Sequence, residues 1–127
     1  MTTIPTKHLA VGLTSADSGV VAFEVPTLEP ADDQVLIRVD WASVSFLEFW
    51  QAEFKLLVQY PQILGIAKVG EVAKAGKDAG VQVGDTVLSF GMFTNEERAF
   101  QEYVLTSKYM VGKVRRFRTS VKILFSR

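Results

Sequence analysis

The sequence has no cysteine and a single histidine, His8, among its 127 residues. Without cysteine the chain can form no disulfide, no thiolate nucleophile and no cysteine-ligated metal site. One histidine is also too few for a zinc site built from the usual nitrogen and sulfur ligands. We therefore expect no metal ion in this protein, and because His8 lies so close to the start of the chain we interpret it as a surface residue.

The sequence also lacks long apolar runs, since its longest uncharged stretches are far shorter than the roughly 20 residues that span a bilayer. Its first residues lack the order of positive charge and apolar stretch that marks a signal peptide. Apolar residues make up 48% and charged residues 22% of the chain, as in globular proteins. These features predict one soluble, cytoplasmic domain that buries a core of its own.

The net charge is zero, with 14 basic and 14 acidic residues, but the basic residues are unevenly distributed. Residues 115–127 contain Arg115, Arg116, Arg118, Lys122 and Arg127 and no acid. We therefore predict a domain over residues 1–114 and a basic tail over 115–127 that is disordered or foreign to the domain. Nothing upstream resembles a nucleic-acid-binding face, so we expect neither nucleic acid nor membrane as a partner. An arm for an anionic surface remains the alternative for the tail.

Short apolar and β-branched runs, separated by turn residues, predict β-strands. They lie at residues 9–13, 20–25, 35–41, 100–106 and 109–114. In the stretch from Tyr60 to Phe90 the glycines stand where short apolar runs meet turns, and we interpret Gly84-Asp85 as a turn that joins two strands. The pattern predicts a mainly β fold, a partly open β-barrel with one short helix.

The periodicity changes between Phe46 and Val58, where apolar side chains recur at spacings of three and four. This spacing predicts an amphipathic helix that Pro61 ends. Glu48 then has two interpretations. It is a water-facing residue on the polar side of the helix, which is the more frequent arrangement, or a partly desolvated acid among aromatic neighbours with a raised pKa.

Several catalytic patterns are absent. No two glycines stand two residues apart, as a phosphate-binding loop before a helix requires. There is no Gly-x-Ser-x-Gly motif for acyl transfer. The paired acids Asp32-Asp33 and Glu96-Glu97 lie in polar stretches and are interpreted as solvated. The residues alone therefore indicate no particular reaction.

Several motifs nevertheless follow one another in a recognisable order: Val35-Leu-Ile-Arg-Val39, Ala42-Ser-Val-Ser-Phe-Leu-Glu48, Tyr60-Pro-Gln-Ile-Leu-Gly65, Gly70-Glu-Val72, Val83-Gly-Asp-Thr-Val-Leu88 and Ala99-Phe-Gln-Glu-Tyr-Val104. In this order and spacing they resemble the N-terminal GroES-like domain of the medium-chain dehydrogenase/reductase superfamily. The similarity is greatest to its zinc-free quinone oxidoreductase and enoyl reductase branch. Each motif is weak alone, but their combination is specific.

The resemblance implies a site at the start of the helix. Zinc-free members often have Asn-Pro-x-Asp where this chain has Ser45-Phe46-Leu47-Glu48, and the first of these residues faces the nicotinamide cleft. Ser45 and Glu48 are therefore the catalytic candidates, and Ser45 is also a candidate for contact with the cofactor. Phe46 replaces the proline of the pattern. The apolar wall of the substrate cleft is expected from Trp50, Phe54 and Tyr60.

The resemblance also implies that zinc is absent. Zinc-dependent members have a cysteine near Ser45 and Gly-His-Glu at the position of Gly65-Ile66-Ala67, and these ligands are missing here. Ala67 also replaces an acidic residue that usually lies two positions after Gly65 in the superfamily.

In the superfamily a separate Rossmann domain, which follows the position of Lys113-Val114, binds NAD(P)H. Thirteen residues after Val114 cannot form even one βαβ unit. We therefore expect a truncated, catalytic-domain fragment of a zinc-independent NAD(P)H-dependent oxidoreductase for enone, quinone or alcohol-type substrates, inactive and unable to bind the cofactor alone. The alternative is a non-enzymatic module that self-associates or pairs with a full-length relative through an exposed apolar face, formed by the helix and Leu56-Leu57-Val58.

Overall fold

The computed structural model describes residues 3–114 of the chain. The predicted basic tail, residues 115–127, lies outside the described residues. The elements within this range are β-strands joined by turns, with one α-helix and two short 3-10 helices. They are β1 Lys7–Leu13, β2 Val20–Pro26, β3 Gln34–Ala42, α1 Phe46–Phe54, β4 Gln62–Ile63, β5 Ala67–Ala75, β6 Thr86–Phe90, a 3-10 helix Asn95–Glu97, β7 Tyr103–Ser107, a 3-10 helix Lys108–Met110 and β8 Val111–Lys113.

The strands form two sheets, which are a three-stranded sheet in the order β2-β1-β4 and a five-stranded sheet in the order β7-β3-β5-β6-β8. Every strand pair in both sheets is antiparallel. β1 and β2 form a hairpin, paired from Lys7 opposite Pro26 to Leu13 opposite Val20. The alternating apolar pattern of these runs suits strands with one face covered. The first three predicted strands are confirmed, while the last two begin later than predicted, at Tyr103 and Val111, because a 3-10 helix occupies Lys108–Met110.

The two sheets meet along β1 and the residues just before β7. Ala10 forms an isolated bridge with Gln101. The N–H of Val11 donates to the carbonyl of Phe100 (2.8 Å), and the N–H of Glu102 donates to that of Leu9 (3.0 Å). These bonds curl the two sheets into a half-closed barrel. The predicted mainly β, partly open barrel with one short helix is therefore confirmed.

The core lies inside the five-stranded sheet, where alternate residues of its strands face inward. Fully buried members are Val35 and Ile37 of β3, Val72 of β5, Val87 of β6 and Val104 of β7. β-branched side chains pack well on a pleated surface, so this valine-rich interior suits the strands that carry it. The Tyr60–Phe90 stretch supplies β5 and β6, two of the three strands in the middle of that sheet.

The turn before β6 agrees with its sequence. Gly84 has a φ of 95°, which a residue with a side chain rarely adopts. The carboxylate of Asp85 accepts the N–H of Gln82 at 2.9 Å, and this bond lowers the pKa of Asp85. The interpretation of Gly84-Asp85 as a turn that joins two strands is confirmed.

Helix α1 is shorter than predicted, because it ends at Phe54 well before Pro61. Lys55 adopts the left-handed conformation with φ 55°, and its N–H donates to the carbonyl of Gln51. A left-handed residue is a common way to end a helix because it turns the chain while still bonding the last carbonyls. Leu57 also has a φ of 55°, so the chain cannot resume the helix before Pro61.

The prediction that His8 is a surface residue is wrong, because its side chain is only 6% exposed. β1 is paired with β2 from Lys7 onward, so the chain is held in the sheet at this point. The amide nitrogen of Gln101 donates to the carbonyls of Asn95 (2.8 Å) and Arg98 (2.9 Å), which leaves its oxygen to accept a hydrogen bond from His8 Nε2 at 2.9 Å. Strand pairing therefore holds this histidine inside the fold, although it lies near the start of the chain.

Over residues 3–114, no helix is long and apolar enough to cross a membrane.

Candidate functional site

Helix α1 presents Glu48 and Gln51 inward and its aromatic residues outward, with Glu53 also exposed. Glu48 and Gln51 are 4% and 1% exposed, respectively. Phe46 and Phe54 are 78% and 70% exposed. The more frequent interpretation of Glu48, a water-facing side chain, is therefore wrong. Spacing identified the two faces of the helix correctly, but it could not say which face lies against the barrel.

Ser45 and Glu48 are bonded to each other at the beginning of α1. Ser45 is the N-cap residue, in extended conformation at φ −124° and ψ 173°. Its N–H donates to Glu48 Oε2 at 2.9 Å, and its hydroxyl donates to the same oxygen. A glutamate at the third helical position commonly reaches back in this way. The two candidate catalytic residues therefore form one unit. The Glu48 carboxylate accepts the one hydrogen bond that the Ser45 hydroxyl can donate.

The start of α1 lies close to the beginning of β5. The N–H of Ser43 donates to the carbonyl of Ala67 at 3.0 Å. A small cavity of about 210 Å³ opens beside this contact, lined by Trp41, Ala42, Ser43, Ala67, Lys68, Val69 and Leu88. The structure thus brings the segment that leads into Ser45 beside Ala67, the position where zinc-dependent members of the superfamily carry an acid.

Lys68 is buried beside this position, with its side chain 1% exposed. Its ammonium donates to the carbonyl of Ile66 at 3.2 Å and to that of Glu97. Burial lowers the pKa of Lys68 from its usual 10.5 to about 8, with Glu97 opposing this shift and Arg98 adding to it. Sequence reasoning missed this residue, although Lys68 is in phase with the inward-facing Gly70 and Val72 of the same strand.

Arg98, directly after the first 3-10 helix, is a second buried cation at 6% exposure. Its backbone is well fixed, since its N–H donates to the carbonyl of Asn95 at 3.2 Å. Burial lowers the pKa of Arg98 below its usual value, and the carboxylates of Glu48 and Glu97 act in the opposite direction. No pattern of residues indicated this burial, because a single arginine between acidic and apolar residues is typical of a surface.

Of the three residues predicted to line the substrate cleft, two lie on α1 and the third lines a cavity. Trp50 and Phe54 are 46% and 70% exposed on the outer face of α1. They contact aromatic neighbours there. Trp50 lies tilted against Phe46 at 6.3 Å between ring centroids, and Phe54 lies edge-to-face with Phe49 at 6.2 Å. Tyr60 instead lines a polar cavity of about 240 Å³ that also includes Asn95 and Arg98. Their role as a cleft wall stays a prediction.

The described residues contain no parallel βαβ unit of the kind that binds nicotinamide dinucleotides in Rossmann domains. Such sites are built on parallel βαβ units with a glycine-rich turn at the helix start. Here all strand pairs are antiparallel and the α-helix has nine residues. Within residues 3–114 no three histidine, cysteine or acidic side chains lie close enough together to hold a metal ion.

Comparison with known families identifies the class of protein. The sequence profile of the family described as "Alcohol dehydrogenase GroES-like domain" matches residues 31–116. This chain therefore belongs to the alcohol dehydrogenase GroES-like domain family, the domain that its motifs resembled. The half-closed barrel with one helix agrees with that assignment.

One curated relative is the acryloyl-coenzyme A reductase of Sulfurisphaera tokodaii, which is 38% identical over 68 residues. The match covers 52% of this chain and 20% of that enzyme, so the chain spans about a fifth of the relative.

Among solved structures, the human synaptic vesicle membrane protein VAT-1 homolog-like protein has a TM-score of 0.75 at 23% identity, covering 96% of this chain and 43% of that one. The Escherichia coli quinone oxidoreductase complexed with NADPH has a TM-score of 0.71 at 15% identity, covering 84% and 33%. These likenesses show a shared fold.

Proposed function

We propose that this domain supplies the substrate side of the active site in a zinc-independent, NAD(P)H-dependent oxidoreductase. The substrate class is an enone, a quinone or a related carbonyl or alcohol compound. The family assignment, the absence of cysteine and the activities for which the relatives are named support this proposal. The observation that carries it is the bonded pair Ser45 and Glu48 at the start of α1, two residues after Ser43, whose N–H donates to the carbonyl of Ala67.

Within this proposal Ser45 contacts the substrate or the cofactor and Glu48 positions it. Glu48 holds the N–H and the hydroxyl of Ser45 at once, which fixes the orientation of the hydroxyl. While Glu48 is ionised, Ser45 offers lone pairs to a ligand, and hydrogen-bond donors toward a developing oxyanion must come from other groups. Trp50, Phe54 and Tyr60 form the cleft wall in this proposal.

Because the described residues contain no parallel βαβ unit, the nucleotide would be held by a separate nucleotide-binding domain. The cofactor supplies hydride when it is bound, and this domain orients the substrate. We therefore propose that the 127-residue chain alone is inactive and works in the cytoplasm with such a domain.

A domain graft tests the proposal. Residues 1–114 are fused to the nucleotide-binding part of the Sulfurisphaera tokodaii enzyme, and NADPH oxidation is followed with acryloyl-coenzyme A, cyclohexenone and a benzoquinone. We expect turnover by the graft and none by the 127-residue chain. Glu48→Gln should lower kcat about tenfold by loosening Ser45. Glu53→Gln, on the exposed side of the same helix, should leave kcat unchanged.

Two results would contradict the proposal. One is turnover by the chain alone. The other is a folded graft that binds NADPH and oxidises it with none of the three substrates. Equal kcat values for Glu48→Gln and Glu53→Gln would remove the role given to Glu48.

A second candidate function, favoured by the exposed apolar face of α1, is a binding module without catalysis. Phe46, Phe49, Trp50 and Phe54 are each at least 46% exposed, and Leu57 beyond the helix end is 76% exposed. A contiguous apolar patch of this kind usually marks an interaction site. The partner would be a second copy of this chain or a full-length relative.

Association is measured by size-exclusion chromatography with light scattering, on the chain alone and mixed with a full-length quinone oxidoreductase. We expect a complex with one of them, which Phe46→Ser combined with Phe54→Ser abolishes because it removes two rings of the patch. Tyr109→Ser, at a residue that is 79% exposed elsewhere on the surface, is the matched control and should retain the complex. A stable monomer with no partner would reject this function.

A further inference from the structure

Arg98 is a buried arginine whose side chain has no hydrogen-bond or ion-pair partner among residues 3–114. Its Nε and Nη1 atoms are fully buried and unpaired. Among residues 3–114 no hydrogen bond or ion pair involves any nitrogen of this guanidinium, although its side chain is almost completely enclosed. A buried charge without a partner costs several kcal/mol, so proteins pair nearly all of them. The arrangement indicates a missing acceptor.

Glu48 is a candidate acceptor for the Arg98 guanidinium, but it does not satisfy it. The Glu48 carboxylate influences the pKa of Arg98, yet the two side chains form no ion pair within 4.0 Å. Glu48 Oε2 is occupied by Ser45, while its Oε1 is itself buried and unpaired. An acceptor beside Arg98 and away from the Glu48 carboxylate would satisfy the guanidinium.

Arg98 lines the polar cavity of about 240 Å³ that also contains Tyr60, Gln62, Thr94 and Asn95. Two of the amides in this wall are already committed. Asn95 accepts the N–H of Ile63 (3.0 Å) and donates to the carbonyl of Pro61 (2.8 Å), while Gln62 donates to the carbonyl of Ile63 (2.9 Å). Arg98 is the cation in this wall, and its Nε and Nη1 have no acceptor among the described residues.

The size of the cavity restricts what it can hold. Sites for whole drug-sized ligands usually measure about 300–1,000 Å³, so this one suits a single polar group of a ligand. The planar guanidinium matches acceptors with two oxygens, such as a carboxylate or a phosphate, in bidentate geometry.

We propose that Arg98 binds an oxyanion group, a carboxylate or a phosphate, that enters the cavity between Tyr60 and Asn95. This site is separate from the Ser45 and Glu48 pair in its chemistry, because it contributes donors where that pair contributes acceptors. The proposal does not depend on oxidoreductase activity, since it concerns binding to this chain alone.

The test follows the Nε–H signal of Arg98 in ¹H–¹⁵N NMR spectra of the 127-residue chain, assigned by its loss in Arg98→Gln. Acetate and inorganic phosphate are titrated against sodium chloride at equal ionic strength. We expect a saturable shift with acetate or phosphate and none with chloride. Saturation by one anion but not the other identifies the group as a carboxylate or a phosphate.

Arg98→Lys keeps the charge but lacks the fork, and it should weaken the binding about tenfold, measured on backbone signals of the cavity wall. Arg38→Gln is the matched control, because Arg38 is a partly exposed arginine that pairs with Glu71 at 3.4 Å, and it should bind as the unmodified chain does. If Arg98→Gln does not fold, the Arg98→Lys comparison decides. The proposal fails if neither anion saturates, or if Arg98→Lys and Arg38→Gln bind the anion equally well.

Discussion

Gly70→Ala should strongly destabilise the native fold. A Cβ at this position would lie 2.1 Å from the carbonyl oxygen of Arg38 and 2.7 Å from Ile37 Cγ2. Gly70 is in β5 opposite Val39 of β3 and Val87 of β6, so both flanking strands are fixed by their own hydrogen bonds. Because the backbone of β3 cannot move aside as a flexible side chain can, we expect a loss of more than about 3 kcal/mol in the free energy of unfolding.

Gly112→Ala is the matched control for this substitution. Gly112 is also a strand glycine, but its Cβ would meet only the carbonyl oxygen of Leu88 at 4.0 Å. Its strand β8 lies at the edge of the sheet, where there is room. Urea unfolding followed by circular dichroism should show a change within about 1 kcal/mol, because removing a strand glycine also reduces the entropy of the unfolded chain. Similar midpoints for the two variants would contradict the register of β3 against β5.

Lys68→Met should remove a pH dependence of stability that the unmodified chain shows between about pH 8 and 10.5. The pKa of Lys68 is about 8 in the fold, below its usual value of 10.5. The folded state therefore binds fewer protons than the unfolded state in this window, and the free energy of unfolding rises with pH. Burying the charged amine thus costs stability below pH 8, and this cost is gone above pH 10.5. The shift corresponds to about 3 kcal/mol.

The measurement is urea unfolding at pH 7 and at pH 10.5, with the difference between variants isolating the lysine from other titrating groups. The unmodified chain should gain about 3 kcal/mol more than Lys68→Met does between these values. Lys74→Met, at an exposed lysine of the same strand, retains Lys68 and should retain the gain. A gain of equal size in Lys68→Met and the unmodified chain would show that Lys68 is not buried as a charge.

Much of the fold could be predicted because its signals are local. Alternating and β-branched runs identified β1, β2 and β3, and the motifs between Tyr60 and Val104 identified the family. The turn at Gly84 could be predicted for the same reason, since a positive φ favours glycine. The end of α1 could not, because the left-handed conformation of Lys55 has no strong residue signature.

The candidate site divides in the same way. The motif order placed Ser45 and Glu48 at one helix start, three residues apart, and the structure bonds them there. No pattern in the sequence indicated where Ser45 and Glu48 lie relative to Lys68 and Arg98. Contacts between residues far apart in the chain depend on how β5 and the segment before β7 pack around α1.

By itself the sequence determined the strand pattern, the helix, the family and the absence of cysteine ligands, because these depend on residue types and short spacings. Only the tertiary structure decided which face of α1 is buried, that His8 is enclosed, and that Lys68 and Arg98 are buried cations. Burial is set by what packs against a side chain, and for these residues the neighbours come from distant segments. The free energy of placing a charge there, and hence its chemistry, follows from that packing.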